Sequence, residues 1–155
     1  MNAAVFSDTH GNTARMAAAV RETRPDLIIH LGDCERDTQI LRREFPEIPL
    51  CSVCGNCDFA AQAPTAGVAE LGPVKAFLTH GHLYNVDWNV DSLVYAAQEQ
   101  GCRLALYGHT HRPDSQELGG VKVVNPGTAG QGRRLSYAWI TVFDNGGIAV
   151  EIRSL

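Results

Sequence analysis

Two histidines separated by one residue close the segment Gly108-His109-Thr110-His111. They follow an apolar run, residues 104–107, that has the length and composition of a buried strand. Side chains two positions apart in an extended segment point to the same side, so we expect both imidazoles to converge on one point, which Gly108 leaves uncrowded. Imidazole is a common ligand of zinc, manganese, iron and nickel. The segment predicts the beginning of a metal site, with a surface loop that contains two histidines by chance as the alternative.

Four other apolar runs are also followed by Asp, His or Asn. The runs at residues 3–6, 27–31, 50–53 and 74–78 precede, respectively, Asp8 with His10, Asp33, Asn56 and His80. In open α/β sheets, ligands bind beyond the carboxyl ends of the strands. Each residue has a separate explanation, such as a helix N-cap for Asp8 or a turn at Asp33. Five such positions in succession favour one shared site.

The elements that must position these residues alternate in the first half of the chain. Strands are predicted at residues 3–6, 27–31, 50–53, 68–71, 74–79, 104–107, 115–118, 121–124, 136–143 and 148–153, helices at 12–24, 35–45 and 91–100, and a loop at 59–65. The βαβαβ start predicts a parallel sheet. Turns at Gly119-Gly120 and Asn145-Gly146 predict hairpins, so the second half is expected to be antiparallel. The class predicted is a mixed α/β sandwich.

Composition limits the classes of function. A chain of 155 residues with 45% hydrophobic and 19% charged residues predicts one globular domain, residues 1–155. The formal net charge of -4, without a run of Lys or Arg, argues against non-specific binding to nucleic acid or to an anionic membrane. Neither a leader-like segment nor 18 consecutive apolar residues occurs, so we predict a cytoplasmic protein.

The five cysteines are an odd number, which makes a disulfide framework unexpected in a cytoplasmic chain. Cys51, Cys54 and Cys57 have the spacing C-x2-C-x2-C, which invites an iron–sulfur or zinc interpretation. The fourth cysteine and the proline that continue the ferredoxin pattern are missing. Cys51 also lies in an apolar strand-like segment, residues 50–53, where a buried thiol is unremarkable, so a cysteine-bound cluster is not favoured.

At this point the chain resembles a known family. Asp8-Thr9-His10, Gly32-Asp33, Gly55-Asn56, His80 and Gly108-His109-Thr110-His111, in that order, look like the metal-binding pattern of the calcineurin-like metallophosphoesterase superfamily. The short length, His80-Gly81-His82 and the Asn125–Thr128 segment are most similar to its small single-domain YfcE-type phosphodiesterases. The resemblance runs from Asp8 to about Thr128 and implies a four-layer α/β/β/α sandwich with two mixed sheets.

The resemblance also implies two divalent metal ions. Carried over, the first ion takes Asp8, His10, Asp33 and His111, and the second takes Asp33, Asn56, His80 and His109, with Asp33 shared. A mixed nitrogen and oxygen ligand set suits Mn2+, the expected metal, or Ni2+, Zn2+ or Fe2+, better than Ca2+. The implied function is hydrolysis of a phosphate ester, most simply a small diester, by in-line attack of a metal-bridging hydroxide. A phosphomonoesterase with the same centre is one alternative, and a non-catalytic scaffold, as in the retromer coat, is another.

One position departs from the wider superfamily, which has histidine where this chain has Cys57, as YfcE-type members do. A thiol is a poor general acid, so we predict that His82 or a metal-bound water protonates the leaving group. If neither does, only esters with good leaving groups react quickly. Asp33, Asn56 and His82 are thus predicted catalytic residues, and Arg112 and Cys57 are predicted to bind substrate. A solvated Arg112 is the alternative, and both a monomer and a homo-oligomer remain open.

Overall fold

The computed structural model describes residues 1–59 and 61–155. Its strands are β1 (Asn2–Phe6), β2 (Leu27–His30), β3 (Leu50–Ser52), β4 (Ala66–Leu71), β5 (Val74–Thr79), β6 (Leu104–Leu106), β7 (Asp114–Leu118), β8 (Val121–Asn125), β9 (Ser136–Val142) and β10 (Ile148–Ser154). Its α-helices are α1 (Thr13–Thr23), α2 (Thr38–Glu44) and α3 (Asp91–Glu99), and single 3-10 turns occupy Glu35–Asp37 and His82–Tyr84. None of these helices combines the length and apolar composition needed to cross a membrane.

The strands form two mixed five-stranded sheets, with the orders β10-β9-β1-β2-β3 and β4-β5-β6-β8-β7. Strands β1, β2 and β3 are parallel, as the βαβαβ pattern predicts. The expectation of a wholly antiparallel second half is wrong, because β6 runs parallel to both β5 and β8. Helix α3 returns the chain so that β6 lies parallel to β5, and β7 lies outside β8. Hairpin signals report on strands adjacent in sequence and not on these crossovers.

The helix predicted at residues 35–45 is divided into the 3-10 turn Glu35–Asp37 and α2. The first residue of the 3-10 turn contacts the loop after β3, since the Glu35 N–H donates to Asp58 Oδ1 at 2.8 Å. Cys34, the residue before this turn, has a left-handed φ of 69°, which is incompatible with a right-handed helix. The other predicted helices and strands match within two residues. The predicted loop at residues 59–65 contains neither helix nor strand in its described part, and its residue 60 lies outside the described residues.

Successive side chains along each strand point to opposite faces of the sheet, and the buried apolar residues of the described chain form three clusters. In β1, Ala3 and Val5 belong to the cluster between the two sheets, whereas Ala4 and Phe6 pack with residues of α1 and α2. On the far side, α3 covers the second sheet through Leu93 and its neighbours. The layers are therefore α/β/β/α, and the four-layer expectation is confirmed. The carboxyl ends of the parallel strands of both sheets lie along one rim.

Gly32 allows two loops at this rim to touch. A Cβ on Gly32 would lie 2.5 Å from the backbone nitrogen of Gly55 and 2.9 Å from the carbonyl carbon of Cys54. Its φ of +96° is also one that side chains rarely adopt. Because both contacts are with backbone, neither can move aside cheaply. The absence of a side chain at Gly32 thus brings the loops that carry Asp33 and Asn56 together.

We predict that Gly32→Ala lowers the free energy of unfolding by about 3 kcal/mol, from a backbone clash added to left-handed strain. Gly72→Ala is the matched control, since its φ is +58° and an added Cβ would meet nothing within 4 Å. We expect the control to cost only about 1 kcal/mol, the strain alone. Urea unfolding of both variants measures the difference, and equal losses would contradict the clash.

Candidate metal centre

Five of the seven predicted ligands have left-handed backbone conformations. Asp8, His10, Asp33, His109 and His111 have φ values between 45° and 67°. Such values cost about 1–3 kcal/mol each for residues other than glycine, although Asp and His tolerate them better than most. Strained residues persist where surrounding structure holds them, and they concentrate at functional sites. The strain therefore marks this rim independently of residue type.

The first cluster consists of Asp8, His10, Asp33 and His111, whose ligand atoms all lie within 4.8 Å of one another. His111 Nε2 is 3.0 Å from Asp8 Oδ1, and His10 Nε2 is 3.9 Å from Asp33 Oδ2. Asp8 Oδ1 and His10 Nε2 are nevertheless buried without a hydrogen bond. The close pair of His111 and Asp8 therefore lacks hydrogen-bond geometry. These four residues are the set that the resemblance assigns to one ion.

The second cluster lies on the other side of Asp33. His80 Nε2 is 3.4 Å from Asp33 Oδ1, and the His80 and His109 rings are 5.2 Å apart. His109 Nδ1 is in turn 3.0 Å from Asn56 Oδ1. His80 Nδ1 is 2.8 Å from the carbonyl oxygen of Leu31, to which it donates, so Nε2 is the unprotonated nitrogen. The structure thus brings together all seven predicted ligand residues, with Asp33 between two groups.

These residues fit divalent metal ions. Atoms bound to one ion at 2.0–2.2 Å lie about 3–4 Å apart, depending on the angle between the bonds. The contacts described above span 3.0 to 3.9 Å. A buried polar atom without a partner costs about 1–3 kcal/mol, and Asp8 Oδ1, His10 Nε2 and His80 Nε2 are three such atoms at one place. A cation would satisfy them together.

The expectation that His109 and His111 converge on one point is wrong. His111 lies beside Asp8 in the first cluster, whereas His109 contacts Asn56 in the second. The same-side argument requires an extended backbone, but β6 ends at Leu106 and both histidines have left-handed φ. The lack of a side chain at Gly108 makes room for Ser7 and Asp8 instead, because an added Cβ would overlap Ser7 Oγ and lie 2.9 Å from Asp8 Oδ2.

Asp58 supports the centre, although the sequence argument assigned it no role. Its carboxylate accepts the backbone N–H groups of Asp33 at 2.9 Å, Glu35 at 2.8 Å and Gly55 at 2.8 Å. These bonds join the loop after β2 to the loop after β3. The available signal was its place at the end of Gly55-Asn56-Cys57-Asp58, where an Asp can accept local N–H groups.

Buried His30 connects two ligand loops. The Gly32 N–H donates to His30 Nδ1 at 3.2 Å, so Nε2 carries the hydrogen and faces Thr9 Oγ1 at 3.2 Å. Thr9 Oγ1 donates in turn to Asp37 Oδ2 at 2.8 Å. Burial lowers the pKa of His30 to about 4, which keeps the ring neutral near pH 7. His30 therefore has a structural role, joining the loops after β1 and β2.

The predicted catalytic and substrate-binding residues surround the ligands. The half-buried His82 ring lies 5.4 Å from that of His80, and burial lowers its pKa. Exposed Cys57 donates its N–H to Asp33 Oδ1 at 2.9 Å, and a side-chain hydrogen bond to Asp33 raises the thiol pKa to about 11. For Asp33, burial raises the pKa, but the Cys57 N–H and His80 lower it more, and the net pKa is lowered. Arg112 is exposed directly after His111.

A cavity of about 880 Å3 is lined by Cys34 and Cys57, which follow Asp33 and Asn56 directly in the chain. Asp58, which is hydrogen-bonded to Asp33, also lines it, and residues of α2 and of the loop before β4 contribute further walls. Among these are Gln39 and Arg42. The volume is within the range of small-molecule sites. The geometry therefore combines a metal-binding cluster with adjacent space for an organic group.

Comparison with known proteins identifies related sequences. The sequence model of the calcineurin-like phosphoesterase superfamily domain matches residues 1–145. A probable metallophosphoesterase of Bacillus subtilis, YsnB, is 34% identical over 130 residues, which cover 83% of this chain and 75% of that protein. A phosphodiesterase of Methanocaldococcus jannaschii is 25% identical over 144 residues, covering 82% and 83%.

Solved structures extend the similarity to the whole chain. A predicted phosphoesterase of Streptococcus pneumoniae superposes with a TM-score of 0.76 at 30% identity, covering 99% of this chain and 97% of that one. Vps29 of Entamoeba histolytica complexed with zinc gives a TM-score of 0.75 at 19% identity and covers 99% of both chains. Because only 19% of residues are identical, the similarity to Vps29 concerns the fold alone.

We predict that saturating Mn2+ raises the melting temperature of the metal-free protein by about 5–10 °C, because an ion at 100 times its Kd stabilises the folded state by about 2.7 kcal/mol. Asp33→Asn, which removes the shared charge, should abolish most of this rise. Asp144→Asn, in the exposed turn between β9 and β10, is the control and should retain it. A full rise in Asp33→Asn would contradict the shared role of Asp33.

Proposed function

Since this chain belongs to the calcineurin-like phosphoesterase superfamily, we propose that it is a phosphodiesterase that uses two divalent ions, with Mn2+ the expected metal. The observation that carries the proposal is the position of Asp33. One carboxylate oxygen faces His10 in the first cluster, and the other faces His80 in the second. A carboxylate placed in this way supports a bridge between two neighbouring ions.

The chain's own residues would hold and orient the reacting groups. When bound, two divalent ions neutralise phosphoryl oxygens and make a water acidic enough to ionise near neutral pH. The bond from His80 Nδ1 to the Leu31 carbonyl holds the ring with Nε2 directed at Asp33. Asn56 contributes a neutral amide oxygen beside His109.

Charge favours an anionic substrate. Of the seven predicted ligands, only Asp8 and Asp33 are carboxylates. By formal charges, two divalent ions against two carboxylates leave about +2 at the centre. Both carboxylates are buried, at 0% and 4% exposure, so solvent screens this charge poorly. A phosphate ester is thus drawn to the rim.

His82 is the residue that we propose protonates the leaving group. It begins the 3-10 turn His82–Tyr84, its ring lies 5.4 Å from that of His80, and its Nδ1 is buried without a hydrogen-bond partner. Cys57 is a poorer acid, because its pKa of about 11 disfavours loss of the proton. Exposed Cys57 and Arg112 remain proposed contacts for substrate.

The cavity beside Asp33 favours a diester over a monoester. A diester carries two organic groups on phosphorus, and a space of about 880 Å3 that is lined by Cys34, Cys57 and Asp58 accommodates one of them. The similarity to a named phosphodiesterase from Methanocaldococcus jannaschii supports the same choice. A scaffold that binds metal would need neither the cavity nor a proton donor. Turnover, rather than metal binding, separates the two classes.

We expect the Mn2+-loaded protein to hydrolyse bis(4-nitrophenyl) phosphate with a higher kcat/KM than 4-nitrophenyl phosphate, because the cavity receives the second aryl group. Release of 4-nitrophenolate measures both reactions. Gln39→Trp, which fills the cavity, should lower kcat/KM for the diester by about tenfold and leave the monoester reaction unchanged. Arg43→Trp, exposed on the same helix and not lining the cavity, is the matched control.

A faster reaction with the monoester would indicate a phosphomonoesterase instead. Absence of turnover of both esters by protein with two bound ions would favour the scaffold.

We predict that His82→Ala slows diesters with poor leaving groups by about 100-fold and 4-nitrophenyl esters by far less, because only a basic leaving group needs a proton. As a general acid, His82 acts when protonated, so the wild-type rate should fall as pH rises through its lowered pKa. A pH–rate profile should lose that limb in His82→Ala. An unchanged profile with poor leaving groups would remove His82 from the mechanism.

A further inference from the structure

Asp87 contacts a predicted metal ligand from outside the five sequence motifs. It lies between the turn His82–Tyr84 and α3, and its Oδ2 is 3.0 Å from His109 Nε2. We propose that Asp87 is a positioning residue that fixes the tautomer and the orientation of His109, so that Nδ1 is the nitrogen presented to metal. This inference rests on the proposed function, because it deepens the account of the same centre.

The hydrogen-bonding inventory determines the tautomer. An ionised carboxylate only accepts hydrogen bonds, so Nε2 of His109 must carry a hydrogen to bond with Asp87. A neutral imidazole has one N–H, which leaves a lone pair on Nδ1. The same side chain therefore offers a donor toward Asp87 and a metal-ligand atom toward the centre.

The other side of the ring supports this assignment. His109 Nδ1 is 3.0 Å from Asn56 Oδ1, and the Asn56 Nδ2 group is oriented toward Cys57 Sγ at 3.5 Å. Two lone-pair atoms that face each other at that distance repel, unless a cation attracts both. Ligand atoms at right angles on one ion with 2.1–2.2 Å bonds lie about 3.0 Å apart. The pair of Asn56 and His109 thus has the separation of adjacent ligands.

The backbone around Asp87 is anchored on both sides. Val86 is buried and packs closely on Gly81. A Cβ added to Gly81 would lie only 2.8 Å from Val86 Cγ2. The Trp88 N–H donates to the Asn85 carbonyl at 3.0 Å, and Asn85 adopts a left-handed φ of 55°. Asp87 therefore approaches His109 from a defined turn.

The Asp87 side chain itself contributes little to the packed interior. It is 60% exposed, whereas that of His109 is 23% exposed. Its removal should leave the fold intact, which makes it suitable for a test. Partners that orient a metal-bound histidine are worth about 10–100-fold in metal affinity.

The test is isothermal titration calorimetry, in which metal-free protein is titrated separately with Mn2+ and with Zn2+. We expect two sites in the wild type, and in Asp87→Ala a loss of about 10–100-fold in affinity at one site only. Asp87→Asn, which retains an acceptor without the charge, should be intermediate. Asp144→Ala, exposed and remote, is the matched control and should bind like the wild type.

Nitrogen NMR of the metal-free protein supplies a readout that needs no turnover. His109 should carry its hydrogen on Nε2 in the wild type and populate both tautomers in Asp87→Ala. Wild-type affinities in Asp87→Ala, or a hydrogen on Nδ1 in the wild type, would overturn the inference. If the inference fails while the wild type still hydrolyses the diester, the proposed function stands. If affinities change as expected but no ester reacts, the proposed function fails and the positioning role stands.

Discussion

Asp33 faces two groups of ligands from one buried carboxylate, with His10 on the side of Oδ2 and His80 on the side of Oδ1. Its own position depends on backbone contacts. The Asp33 N–H donates to Asp58, and Asp33 Oδ1 accepts the N–H of Cys57. The carboxylate is thus held by the loop after β3 while it projects from the loop after β2. Any change that separates these loops moves the atom on which both groups converge.

The α/β/β/α architecture supplies that constraint in three ways. Parallel strands of both sheets end at one rim, so five loops meet there. Gly32 has no side chain to separate the loops after β2 and β3, and Asp58 joins these two loops by hydrogen bonds. His30 connects the loop after β2 to Thr9 in the loop after β1. The core between and around the sheets then supports the left-handed ligand residues, which would relax in a flexible chain. Rigidity at the rim comes from packing and from supporting polar residues together.

Buried ligand atoms without protein partners are costly in the isolated fold, and the proposed chemistry explains why they persist. Asp8 Oδ1, His10 Nε2 and His80 Nε2 are poised for cations rather than for one another. The chemistry of the leaving group is separate from this cluster, since Cys57 is a weak acid and His82 is the nearby imidazole outside the predicted ligand set. Under the proposed mechanism, metal binding and proton donation depend on different residues.

The candidate ligands and most of the secondary structure could be predicted from the residue types and their order in the chain. The ligand candidates could be found because each follows an apolar run, and a strand end is a local property. The bounds of most elements followed from the same local patterns. The helix predicted at residues 35–45 is divided because the N–H of Glu35, in its first turn, donates to Asp58. These two residues are distant in sequence. The parallel pairing of β6 with β5 and β8 was missed for the same reason.

The sequence by itself determined the kinds of ligand and their order along the chain, since these depend only on residue chemistry and short-range periodicity. Residue chemistry and periodicity do not indicate which ligands lie together; the family resemblance implies the two groups, and the tertiary structure supplies the physical reason for them. His109 and His111 are two residues apart, yet they belong to different groups, because left-handed backbone turns one toward Asn56 and the other toward Asp8. Asp87 and Asp58 acquire their roles only through folding. The bond from the Gly55 N–H to Asp58 is local, but the bonds of Asp58 to Asp33 and Glu35 and the contact of Asp87 with His109 join segments distant in the chain, whose proximity depends on loop conformation and packing.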